Sequence, residues 1–226
     1  MPRTTKKTIL ILEACADVPK EELQNLRSVA GMLGMESKTE AIKSHEELRS
    51  CLNVERGFDY VYLCAHANVD GFGDEDGTTD FSWSQLASAL CQGKCLRPGA
   101  ILLLAGCRGG AWQVASRLFE TCHEIEYVCG PRWNAGPPDL TTAFHVFLYN
   151  MEYRREMPST AASRASAATG YDLFCYDRVE LHERLDGEGL AAQVKSWAKI
   201  FLDWTRATRD LQKAVQGEAG GGDPKE

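Results

Sequence analysis

The chain has 226 residues, a formal net charge of −7 and a pI near 5.3, with 44% hydrophobic and 25% charged residues. That length suits one globular domain with helices on both faces of a sheet, and the composition excludes a disordered or fibrous chain. The acidic balance argues against nucleic acid as a partner, because phosphate binding takes a surplus of Lys and Arg.

The longest apolar runs, 9–12 and 99–107, fall well short of the roughly 20 residues that span a bilayer, so no membrane partner is expected. Arg3, Lys6 and Lys7 precede an apolar run too short for a signal-peptide core. Several of the nine cysteines lie inside apolar segments (Cys64, Cys107, Cys129, Cys175) and read as strand residues. Reduced thiols and a cytoplasmic location are the expectation.

In chain order, residues 8–13 form a short β-favouring run. Residues 19–33 follow with Leu23, Leu26, Ala30 and Leu33 at helical spacing. Residues 35–43 read as a weaker edge strand and 45–53 as a helix. FDYVYLCAH (58–66) has the nearly unbroken apolar character of a strand buried on both faces. The Gly- and Asp-rich stretch 67–80 reads as a loop, after which Ser82 caps a helix to about Leu90.

GAILLLAGC (99–107) is the most apolar strand, followed by a helix over 111–121 that Gly109 and Gly110 open. A strand at 124–130, a loop at 131–138 and a helix capped by Asp139 come next. A helix at 159–169, a strand at 173–177 and a last helix at about 190–215 follow, the last with Val194, Trp197, Ile200, Phe201 and Trp204 on one face. The expected domain is 1–216, with 217–226 a disordered tail.

Strands alternating with helices imply an α/β fold with a mainly parallel central sheet, whose sites lie at the carboxyl ends of the strands. His66 and Cys107 both close predicted strands at that end, so they become neighbours in space. An imidazole and a helix N-terminus both raise the thiolate fraction of a nearby Cys, and N–H groups around Cys107 to Gly110 would serve as oxyanion donors. Gly106, Gly109 and Gly110 would let backbone approach a substrate closely.

The pair CAHA (64–67) and LLAGCRGG (103–110) resembles the caspase-like cysteine peptidases, in which a His closes one strand and a Cys closes the next. The similarity is nearest to the CHAT-type branch, through YVCGPRW (127–133), TAFHVFLYN (142–150) and STAASRASAATG (159–170). It implies a caspase-like three-layer sandwich and a thiol protease with a His66–Cys107 dyad. A thioester acyl-enzyme, a protein or peptide substrate, a regulatory protein partner and a place in a bacterial defence or cell-death system go with it. Backbone N–H groups at Ala67 and Arg108 would hold the oxyanion, although the family usually has Gly at the position of Ala67. Asp70 and Trp133 are candidates for the substrate pocket; the aspartates 70, 74, 76 and 80 read first as a solvated acidic loop, with attraction of a basic substrate or calcium binding as the functional alternatives.

Rival chemistries are weaker. A tyrosine phosphatase needs Arg six positions after its Cys, where this chain has Gln113. A glutamine amidotransferase would place its His after the Cys, at His123, His145 or His182, none of which closes a convincing strand. A caspase-fold binding module is the non-enzymatic alternative. Gly106 to Gly110 lacks the Lys-Ser/Thr pair of a phosphate loop, so no cofactor is expected. Cys91 and Cys95, or Cys122 and His123, lack a second pair with ligand spacing, so no metal is expected either.

Overall fold

The computed structural model describes residues 6–15, 20–53 and 57–186. It runs β1 (Thr8–Glu13), α1 (Lys20–Met32), β2 (Glu36–Ala41), α2 (His45–Leu52), β3 (Phe58–Cys64), β4 (His66–Ala67), β5 (Gly71–Gly73) and β6 (Asp80–Ser82). Then come α3 (Trp83–Gly93), β7 (Leu96–Ala105), α4 (Trp112–Thr121), β8 (Ile125–Pro131), α5 (Pro137–Glu152), α6 (Pro158–Thr169), β9 (Leu173–Asp177) and α7 (Arg178–Asp186). The chain divides into two compact units, Met1–Arg178 and Val179–Glu226. The expected last helix and tail lie outside the described residues.

Six strands form one sheet in the order β2-β1-β3-β7-β8-β9, parallel except for β9, which runs against β8. The fold is therefore α/β with a mostly parallel mixed sheet. Because side chains alternate along a strand, the apolar runs feed two cores at once. Ile9, Ile11, Tyr60, Tyr62, Ile101 and Leu103 join Leu26 of α1, Phe144 and Phe147 of α5 and Ala161 of α6 in one core. The alternate residues Leu10, Leu12, Val61, Leu63, Leu102 and Leu104 are equally buried and point to the opposite face.

The helix starts follow from local chemistry. Ser44 caps α2 by accepting from the Glu47 N–H, and Ser82 caps α3 in a reciprocal box with Gln85. The start of α5 differs from the expected Asp139 cap. Gly136 is the cap and Pro137 follows it, where a missing N–H costs nothing, so Asp139 falls in the first turn. The exposed β2 lies at a sheet edge as expected, and its Lys38–Glu40 ion pair puts charge on that edge.

At the amino ends of the strands, Asp59 accepts from the Thr8 N–H at 2.8 Å and from Arg97 at 2.7 Å, tying β1, β3 and β7 together. The two tyrosines of β3 each reach a buried carboxylate: Tyr60 donates to Glu152 of α5, and Tyr62 to Glu22 of α1 at 2.9 Å. Among the described residues, no helix is long and apolar enough to cross a membrane.

Two measurements check this arrangement. Phe144 is fully buried and meets Tyr62 edge to face at 5.4 Å. Phe144→Ala is expected to cost about 3–5 kcal/mol in urea unfolding. Burial, only partly opposed by the bonds from Tyr62 and Cys64, raises the Glu22 carboxyl above its usual 4.5. The native state therefore holds this proton more tightly than the unfolded chain, and stability falls as pH rises through the raised value. Glu22→Gln keeps an acceptor for Tyr62 without the charge, so its urea midpoint should exceed the parent's at neutral pH. That advantage should shrink as the pH drops through the raised value toward 4.5, and be gone below it.

Candidate functional site

β3 and β7 pair with Cys64 opposite Ala105, and the Ala65 N–H still donates to the Ala105 carbonyl at 3.4 Å. His66 and Cys107 each come two residues after that matched pair, at the same end of neighbouring parallel strands. The backbones remain packed beyond the ladder: a Cβ on Gly106 would stand 2.7 Å from both the Ala65 oxygen and the Ala67 Cβ. The strands end earlier than expected, at Cys64 and Ala105, so both candidate residues lie on the turns that leave the sheet.

Cys107 opens a tight turn over 107–110, and α4 begins only at Trp112. The expected helix N-terminus is thus not at the thiol. The N–H groups after Cys107 close the turn instead. Arg108 donates to the Trp133 carbonyl at 3.3 Å, Gly109 to Gly106 at 3.1 Å, Gly110 to Pro131 at 2.8 Å and Ala111 to Arg108 at 2.9 Å. Arg108, expected to face an oxyanion, spends its N–H in this way and sits in the left-handed region at φ 61°. Gly110 and Gly130 interlock, since a Cβ on Gly110 would come within 2.0 Å of the Gly130 oxygen. Only glycine fits there, and the contact hooks the Cys107 turn onto the end of β8.

The expected loop 67–80 folds into a second, antiparallel sheet of β4, β5 and β6. Asn68 closes its first turn by accepting from the N–H groups of Asp70 at 2.7 Å and Gly71 at 3.1 Å. The Asn68 N–H bonds the Gly71 carbonyl at 2.9 Å. Antiparallel pairs alternate, so the next pair, Ala67 with Phe72, is not hydrogen-bonded, and the Ala67 N–H turns away from β5. The exposed His66 lies opposite Gly73, on a hairpin whose Phe72, Phe81 and Trp83 stack beneath it as a small core. The Trp83 indole donates to the Asn68 carbonyl at 3.0 Å.

The acidic residues have local duties. Asp74 accepts from Thr78 and from the Thr79 N–H, and these bonds, the one from Thr78 foremost, hold its carboxyl down at about 2. Asp70, far out in solvent, pairs with Arg117 of α4 at 3.4 Å. Trp133 is half exposed beneath the Arg132 guanidinium, 5.5 Å from its ring.

Two neighbours of Cys107 carried no sequence signal. Its half-buried thiol donates to the Ala135 carbonyl at 3.9 Å. Tyr171, whose hydroxyl donates to Asn134 at 2.6 Å, has its phenol pushed up by burial and then by the nearby Cys107. Both come from connections, 131–136 and 170–172, that only the folded sheet brings to Cys107.

The later histidines are placed differently. His123 precedes β8, at the opposite end of the parallel sheet from Cys107. His145 is half-buried on α5, and burial lowers its pKa. All nine cysteines are free thiols. One group of possible metal ligands, Cys91, Cys122 and Glu124, gathers among the described residues, at the His123 end. No family model matches the chain, and no curated protein matches it.

If the Gly110–Gly130 hook holds the turn, Gly110→Ala should lose about 1–3 kcal/mol of stability through overpacking. It should also change the rate at which iodoacetamide alkylates Cys107, followed by peptide mass spectrometry. The alkylation rate at Cys51, on α2, should stay as it was.

Proposed function

We propose that the protein is a caspase-like cysteine peptidase of the CHAT type, with Cys107 as nucleophile and His66 as general base and then acid. The observation that carries this reading is the β3–β7 register, which sets the two residues at equivalent positions past the ends of adjacent parallel strands. A His closing one strand and a Cys closing the next is the arrangement on which the resemblance rests.

In the reaction, His66 takes the Cys107 proton and the thiolate attacks the scissile carbonyl carbon. The tetrahedral oxyanion collapses to a thioester as His66 protonates the departing amine. His66 then removes a proton from water, which attacks the thioester and frees the acid and the Cys107 thiol. The Ala67 N–H, turned out of the β4–β5 ladder, is a donor for the oxyanion.

The Arg108 N–H can join it only when its 3.3 Å bond to Trp133 opens. That bond supports control by a partner: a protein that moves the 131–136 segment would free the donor and expose Trp133 to substrate. With 67–80 held as a small sheet, 131–136 is the segment to which the proposed regulation is assigned. Asp74 serves its own turn and Asp70 pairs with Arg117 at 3.4 Å, so a basic substrate side chain would have to displace Arg117 to reach Asp70.

A peptidyl acyloxymethyl ketone should label Cys107 selectively among the nine cysteines, read by mass spectrometry. Cys107→Ala should abolish labelling, and His66→Ala should slow it by about 100-fold or more, the scale of general acid–base catalysis. Label spread over several cysteines would count against the assignment. Activity that survives His66→Ala but disappears with His145→Ala or His182→Ala would favour the amidotransferase order.

A further inference from the structure

At the amino end of the sheet, away from His66 and Cys107, three side chains from two connections converge. Cys91 stands in the last turn of α3, Cys122 caps the end of α4, and Glu124 lies one residue before β8. The two sulfurs and a carboxylate oxygen all fall within 4.8 Å of one another. The Cys122 thiol already donates to Glu124 at 3.3 Å. From these positions we infer that Cys91, Cys122 and Glu124 form a binding site for a divalent zinc ion, independent of the proposed peptidase chemistry.

Two thiolates and a carboxylate are a donor set that suits zinc, with metal–sulfur bonds near 2.3 Å and metal–oxygen bonds near 2.0–2.2 Å in a tetrahedron. Side-chain rotation closes the remaining gap, and a water takes the fourth position. On binding, the ion replaces the protons of Cys91 and Cys122, and both leave to solvent. The ion gains two Zn–S bonds and one Zn–O bond, and no electron is transferred.

The surroundings are organised for this. Arg178 donates to the carbonyls of Phe119 at 2.6 Å and of Ile125 at 2.8 Å, and also to that of Cys122. It therefore fixes the turn that carries two of the three ligands. Two thiolates, a carboxylate and the ion sum to one negative charge, which the Arg178 guanidinium offsets.

The local spacing hid this set. Cys91 and Cys122 are 31 positions apart, and the nearer pairs, Cys91 with Cys95 and Cys122 with His123, divert attention from it. Only the packing of α3 against α4 joins them.

The test uses the whole chain, stripped of metal under reducing conditions and titrated with Co(II), then with Zn(II) against a chromophoric chelator. The expected result is one equivalent of tetrahedral Co(II), with a thiolate-to-metal charge-transfer band that Zn(II) abolishes. Cys91→Ser and Glu124→Gln change the two ligands that are not fully buried and so spare the fold, as circular dichroism will report. Each should weaken Zn(II) binding at least about tenfold, the smallest loss seen when even an outer partner of a metal is removed. Cys175→Ser should bind as the parent does. Absence of the band in the parent overturns the proposal. So does a loss below tenfold in both ligand variants, because any metal taken up would then sit on other thiols.

Discussion

The register between β3 and β7 is the constraint on which the candidate site depends. Both strands are buried on two faces, and β3 carries Tyr60 and Tyr62 on the face that meets α1 and α5. A slip of one residue would turn both phenols to the other face and leave Glu22 and Glu152 buried without their donors. The two tyrosine–carboxylate bonds thus select one register from several that apolar packing alone would tolerate. Cys64 then stands opposite Ala105, and the backbones that follow have nowhere to go but past each other.

The two ends of this sheet are built differently. At the amino end, Asp59 and Arg178 gather backbone and side-chain groups from several elements into dense polar clusters. At the carboxyl end, close approach of backbone does the work, through Gly106 against Ala65 and Gly110 against Gly130. Small residues at that end leave the thiol and the imidazole partly open to solvent. The carboxyl end, where the sites of parallel sheets lie, is thus left to small residues.

His66 stands on a small sheet with an aromatic base, which limits the freedom of its backbone more than a loop would. The segment after β8 is held by single hydrogen bonds, from Arg108 to Trp133, from Arg132 to Asp172 and from Tyr171 to Asn134. Of the two connections that border Cys107, the hairpin is therefore the stiffer, and the 131–136 segment is the one that can shift with little loss of packing.

The sequence by itself determined the strand–helix alternation, the two-sided burial of the central strands, the edge position of β2, the Ser82 cap, and the placement of His66 and Cys107 at the same end of neighbouring strands. Each of these is encoded locally, in apolar runs, capping side chains and glycine punctuation. Tertiary structure alone decided the rest. The 67–80 stretch became a sheet because Phe72, Phe81 and Trp83 found one another across turns that read as loop. The N–H groups of Arg108 and Gly110 went to the carbonyls of Trp133 and Pro131, which approach only once β8 lies beside β7. Tyr171 comes near the thiol from a distant connection, and Cys91 meets Cys122 because α3 packs on α4. Contacts between residues far apart in the chain leave no periodicity or spacing in it, and they exist only after the sheet has aligned their elements.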